Sequence, residues 1–162
     1  MLQLKYGPDP IFSCKARVVT TINAEVKANL LQMLTIMYKY NGIGLGANMV
    51  GLLDCLIVVD LQENGVKQPY KMINPKIVEF SENSITMLEA SLSFPGIHAK
   101  ITRPAEVKVS YFDEYDQEKH LKATGLLARV LQHEIDYLHG KVFLDYLSIT
   151  KRKILLQKIK IK

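Results

Sequence analysis

The sequence predicts an α+β fold in which antiparallel or mixed β-sheets pack around a central α-helix, with further helices near the N- and C-termini. Three observations predict it. Strand-like segments cluster in the middle of the chain instead of alternating with helices, which argues against repeated βαβ units. A late helical segment is apolar nearly all round, and a helix of that kind is buried, so strands should wrap it. At 162 residues, 48% of them hydrophobic, the chain suits one compact domain with a sizeable core.

The elements follow in order. Residues 23–40, NAEVKANLLQMLTIMYKY, place Val26, Leu30, Met33, Leu34 and Met37 on one helical stripe, with Asn23 as the cap and Asn41-Gly42 as the stop. GIGLGANMVG comes next, then LLDCLIVVDLQ, whose β-branched and apolar density reads as a buried strand. PYKMINPKIVEF and SITMLEASLSF read as further strands, punctuated by Asn74-Pro75 and by residues 81–83. AEVKVSYFD and QEKHLKATG flank a polar turn at residues 113–116 and read as a hairpin. The central helix is predicted from about Thr124 to His139, with Gly140 as its stop, and carries Leu126, Leu127, Val130, Leu131, Ile135 and Leu138.

Composition excludes several classes. No apolar run reaches the roughly 20 residues of a membrane span, and the first residues lack the charged-then-apolar order of a signal peptide. Cys14 and Cys55 are far apart and outside any metal-spaced cluster, which favours a reducing cytoplasm. No repeat or low-complexity tract is visible. The net charge of +5 is uneven, because ITKRKILLQKIKIK at the end holds six basic residues and no acid. This tail, residues 149–162, is expected to be a basic C-terminal helix belonging to the same domain as residues 1–148. Leu155, Leu156 and Ile159 would dock it on the body, while its lysines suit an RNA-rich surface through sequence-independent phosphate contacts. Nothing points to DNA.

Three short stretches carry chemistry. Gly42-Ile43-Gly44-Leu45-Gly46-Ala47 spells a dinucleotide-binding fingerprint, but it follows a helix and leads into a strand, the reverse of the required context. A nucleotide site is therefore rejected. The second stretch is Glu89-Ala90-Ser91-Leu92-Ser93. The third, QHEIDYLHG, resembles a metallohydrolase helix in which Tyr137 stands where H-E-x-x-H has its second histidine.

In this order and spacing the three resemble the motifs of bacterial peptide deformylases, G-x-G-L-A-A-x-Q, E-G-C-L-S and H-E-x-D-H-L-x-G. The resemblance runs from the N-terminal PDP to FLDYLS, nearly the whole chain. It implies a hydrolase that removes formyl from the initiator methionine of nascent proteins. In that family a divalent metal such as Fe2+ or Zn2+ is held by the motif cysteine and both histidines. A glutamate shuttles protons to and from the metal-bound water, and a glutamine with one backbone N–H stabilises the oxyanion.

Carried over residue by residue, the pattern departs at its chemical centre. Ser91 occupies the cysteine position, Tyr137 the second histidine position and Met49 the glutamine position, while His133, the acid/base Glu134 and the Leu92 N–H are retained. An alcohol and a phenol are poor ligands; ionising a tyrosine near pH 7 costs roughly 4 kcal/mol. The sequence thus implies no bound metal, with Ser91, His133 and Tyr137 hydrogen-bonding to one another in its place. His98 is the one substitute ligand left open, since His139 leaves the helix on another face. By resemblance, Ile43, Gly44 and Leu45 border an extended peptide, and Met87, Leu126 and Arg129 line its methionine pocket, with Ile135 in nearby core. Glu89 and Arg103 match positions expected to form an ion pair beside the site.

The reading is a deformylase-like protein without catalysis, a pseudoenzyme that retains a groove for peptides beginning with methionine. Its rivals are a working deformylase with an altered Fe2+ or Zn2+ site, and a scaffold on the ribosome that does not use the old pocket.

Overall fold

The computed structural model describes residues 1–159. Helix α1 (Ala24–Lys39) opens at Asn23, whose side chain accepts from the Val26 N–H, and all five residues of its predicted stripe are buried. Seven strands follow: β1 (Gly44–Gly46), β2 (Leu56–Val59), β3 (Tyr70–Phe80), β4 (Ser84–Glu89), β5 (Ala99–Pro104), β6 (Val107–Phe112) and β7 (Glu118–Ala123). They form a five-stranded antiparallel sheet, β1-β2-β3-β6-β7, and a separate antiparallel pair, β4-β5. Helix α2 (Gly125–Leu138) packs against β1, β2 and β3, and α3 (Ile149–Leu156) comes last.

Strand β2 shows why its sequence is apolar at every position. Leu56 and Val58 belong to the core cluster that includes the α1 stripe, whereas Ile57 and Val59 face the cluster around Val130, Leu131 and Ile135 of α2. Both faces are covered, so the alternation of a half-exposed strand disappears. Ten of the fourteen residues of α2 are buried, among them His133, Glu134 and Tyr137, as a helix apolar nearly all round requires.

Four differences from the expected elements have physical causes. Asn74-Pro75 does not end a strand: β3 runs through it as a bulge, with Asn74 at φ 52° and its amide bracing the Val19 backbone in both directions. The segment SITMLEASLSF is strand only as far as Glu89, after which the chain turns. Strand β5 was not foreseen; its alternate burial, Ala99, Ile101 and Arg103 inward, hides a charged residue where the pattern asks for an apolar one. The last helix is shorter than 149–162. It ends at Leu156, and residues 160–162 of that expectation lie outside the described residues.

Gly140 does stop α2, at φ 74°, and a Cβ there would lie 2.8 Å from the Ser13 carbonyl oxygen. Only glycine allows the N-terminal segment to cross so closely. Leu155, Leu156 and Ile159 pack on the core while Lys151, Arg152 and Lys153 stay exposed, so the docking half of the expectation for the tail holds.

Candidate active site

A cavity of about 480 Å³ opens between edge strand β1 and the end of β4, with α2 as its floor. Residues 41–44 form one wall and residues 88–92 the other; Leu126, Val130, His133 and Glu134 close the bottom. Gly44 makes the close approach possible. A Cβ there would come within 2.7 Å of Val130 and 2.9 Å of Glu134 Cγ, so the β1 backbone rests directly on the glutamate side chain.

Ser91, His133 and Tyr137 converge as expected, but not in the expected pairing. The Ser91 hydroxyl and the Tyr137 phenol are hydrogen-bonded at 2.6 Å. His133 does not join them: its Nδ1 lies 2.7 Å from Glu89 Oε1, and its Nε2 lies 3.6 Å from Glu134 Oε1. A carboxylate partner on Nδ1 fixes the ring. The ring stacks obliquely on Phe143 and Tyr137, with centroids at 5.4 and 5.6 Å.

Glu89 is the hub of a buried charge network. It receives Arg103 Nε at 2.6 Å and Nη2 at 2.9 Å, Arg129 Nη1 at 2.7 Å, and the His133 ring. Arg103 continues to Asp136 at 2.7 Å and to the Tyr146 hydroxyl at 3.1 Å. Burial alone would raise the Glu89 pKa, but the hydrogen bonds from His133 and Arg103 outweigh it and hold the carboxyl at about 2. The expected Glu89–Arg103 ion pair is therefore present. Glu89 and Arg129 both line the cavity, and Arg129 also donates to the Ile101 and Ile85 carbonyls.

Glu134 has the opposite environment. It is 2% exposed, and its Oε2 is buried without a hydrogen-bond partner among the described residues. Burial raises its pKa to about 7 against the favourable His133 charge, with Glu89 adding to the rise. Two other orphaned polar atoms, Asn48 Oδ1 and Ser93 Oγ, belong to residues adjoining the same centre; Asn48 donates to the Tyr137 carbonyl.

The remaining predicted residues divide. Met49 is buried, lines the cavity, and accepts the Gly46 N–H on sulfur at 3.3 Å, so it fills the glutamine's place with mostly apolar volume. Ile43, Gly44, Leu126 and Leu92 line the cavity, and Ile135 is core. Leu45 is fully buried in the α1-side core and Met87 is not part of the lining; its neighbours Leu88 and Glu89 line the cavity instead. Phe94 and Ile97 also line it and were missed, although their spacing after Ser91 on an apolar turn was a usable signal. His98 reaches the rim but is exposed, and His139 is exposed at the C-cap of α2, outside the lining.

The donor set does not fit a divalent metal. Tyr137 is fully buried, and burial together with the neighbouring Glu134 lifts its phenol well above the ordinary 10, against the help of the Ser91 hydroxyl. The phenol is engaged in the hydrogen bond with Ser91, and one imidazole is left where a tight site wants three or four nitrogen, thiolate or carboxylate donors. Among the described residues no group of three His, Cys, Asp or Glu is arranged to hold a metal. No helix among them is long and apolar enough to cross a membrane.

Comparison with known proteins agrees with the motif resemblance. A protein named peptide deformylase-like from Rickettsia conorii is 46% identical over 157 residues, covering 97% of this chain and 86% of that one. A peptide deformylase from Picosynechococcus is 42% identical over 89% of this chain and 78% of its own. The crystal structure of peptide deformylase from Ehrlichia chaffeensis in complex with actinonin superposes with a TM-score of 0.93 at 36% identity, covering 98% of this chain and 95% of that one. Since the polypeptide deformylase model also matches residues 1–153, the chain belongs to the polypeptide deformylase family.

Proposed function

We propose that this family member binds amino-terminal methionyl peptides without hydrolysing them. The observation that carries the reading is the 2.6 Å bond between Ser91 and Tyr137, which joins two would-be ligand positions to each other. Ordinary deformylation needs an activated water, and without a Lewis acid that water keeps its normal acidity. Glu134 alone supplies at most the 10²–10⁴-fold of a general base, on the order of 3–5 kcal/mol. Met49 offers no hydrogen to an oxyanion, and a lost donor of that kind costs another 10²–10³. The groove itself is intact: an unpaired strand edge at β1, an apolar cavity, and Leu92 beside it.

A second reading, hydrolysis of N-formylmethionyl peptides by an altered Fe2+ or Zn2+ centre, is favoured by other observations. Relatives at 42% identity bear the name peptide deformylase, and Glu134 has a pKa near 7, suited to proton transfer. The test is single-turnover formate release from a formyl-methionyl tripeptide, protein in excess, anaerobically, with Fe2+ or Zn2+ added. Release indistinguishable from the heat-denatured protein supports the binding reading. Stoichiometric release abolished by Glu134→Gln replaces it with the second.

The exposed Lys151 and Lys153 of α3 suit a phosphate-rich surface such as that of the ribosome, a partner that belongs to this proposal as well. A cytoplasmic setting goes with it, since Cys14 and Cys55 are both free thiols.

A further inference from the structure

Two buried carboxylates flank the His133 ring, and they differ in one respect. Glu89 is covered by two guanidiniums and the imidazole, whereas Glu134 uses one oxygen against His133 and leaves the other unpaired. An unpaired buried carboxylate oxygen is costly, and a ligand that brings a cation and donors to it recovers that cost. The position narrows the ligand. Gly44 lets the β1 edge lie against the Glu134 side chain, so a peptide strand added to that edge runs past the carboxyl group. The walls on either side are apolar, with Leu88, Leu92, Ile97 and Val130, and suit a flexible apolar first side chain.

We infer that the cavity selects a free, unformylated amino terminus, whose α-ammonium donates to Glu134 while its apolar first side chain fills the pocket. The inference rests on the peptide-binding reading and specifies its ligand. The ammonium carries charge and three donors; a formyl amide has neither the charge nor the donor count, and would set its carbonyl oxygen against an acceptor. The cation in the lining, Arg129, is already bonded to Glu89 and to the Ile101 and Ile85 carbonyls, so it is not free to attract that oxygen. The chain would then hold mature amino termini of the kind deformylation produces.

Titration calorimetry of the full chain with three tripeptide amides tests this: Met-Ala-Ala, its N-formyl derivative, and its des-amino analogue, which has hydrogen in place of the ammonium. Peptide integrity is checked by mass before and after. The expected result is at least tenfold tighter binding of the free-amine peptide than of either neutral one, with the preference lost in Glu134→Gln and the neutral peptides little affected. Glu134→Asp, which keeps the charge, should keep part of the preference and guards against a fold artefact in the glutamine variant. Equal or tighter binding of the formyl peptide, or a preference unchanged by Glu134→Gln, overturns the inference and leaves the groove. Failure of all three peptides to bind overturns the groove as well.

Discussion

The Ser91 hydroxyl lies 2.6 Å from the Tyr137 phenol, and the Tyr137 ring is held edge-on by Phe12 at 5.4 Å between centroids. The tyrosine is thus fastened at both ends, by a polar contact at its tip and an aromatic one at its ring. Purified protein should carry far less than one equivalent of iron, zinc or nickel by elemental analysis, and a chelator-removable stoichiometric metal on His133 would contradict this. Ser91→Cys, Tyr137→His and Met49→Gln combined should restore metal uptake and some formate release. Each change alone should do little, since such parts act as a unit. A folded triple variant that neither takes up metal nor gains activity would show that the replaced side chains are not what stops the chemistry.

Glu89→Gln should be the most damaging single change in the site. It removes the acidic partner of Arg129 and one of the two of Arg103, which keeps Asp136, and breaking a buried pair costs about 3–5 kcal/mol. For a domain of this size that is a fall in Tm of roughly 6–20 °C. The pH dependence follows from a carboxyl held at about 2 in the folded state against 4.5 ordinarily. Its stabilisation is complete above 4.5 and is lost as pH falls toward 2. The gap between wild type and variant should therefore narrow across that acid range in urea titrations, and a constant gap would deny Glu89 its charged role.

Glu134→Gln should act in the opposite direction. A carboxyl raised from 4.5 to about 7 by burial binds a proton more readily folded than unfolded, so stability falls as pH rises from 4.5 to 7. Glutamine removes that loss. The variant should gain stability over wild type at pH 8, on the order of 3 kcal/mol, and little at pH 4. A variant less stable than wild type at pH 8 would mean that Glu134 has a partner in the folded protein.

Most of the fold could be read from local pattern: α1 from its stripe and cap, β2 from its unbroken apolar run, α2 from apolar residues all round. Strand β5 could not, because Arg103 points inward, and its reason for doing so, Glu89, lies 14 residues away across β4. The same limit applied to the site. That Ser91, His133 and Tyr137 meet followed from the motifs, but the ring of His133 turned to Glu89 because two arginines had already fixed that carboxylate there. Leu88 lines the cavity where Met87 does not because the lining begins only at the end of β4 and follows the chain through residues 88–92. Pattern conveys which residues are near; which polar atoms pair depends on the competition among all of them.

The terminal helix gives a prediction in which packing and charge separate. Leu155, Leu156 and Ile159 lie against the core, whereas Lys151, Arg152 and Lys153 are exposed, and Arg152 makes one surface pair with Asp145 at 2.8 Å. Such a pair contributes about 0–1 kcal/mol, so neutralising it should not unfold the chain. A variant with Lys151, Arg152, Lys153 and Lys158 changed to glutamine should keep its circular dichroism spectrum and melt within a few degrees of wild type. If α3 contacts ribosomal phosphate, wild type should pellet with ribosomes in a salt-dependent way, each phosphate contact adding a slope of roughly −0.7 to −0.9 in log affinity against log salt. The variant should bind more weakly, with a flatter slope by two to four such increments. Equal pelleting of both proteins across the salt series would make the terminal segment a structural clasp for the body, held by Leu155, Leu156 and Ile159.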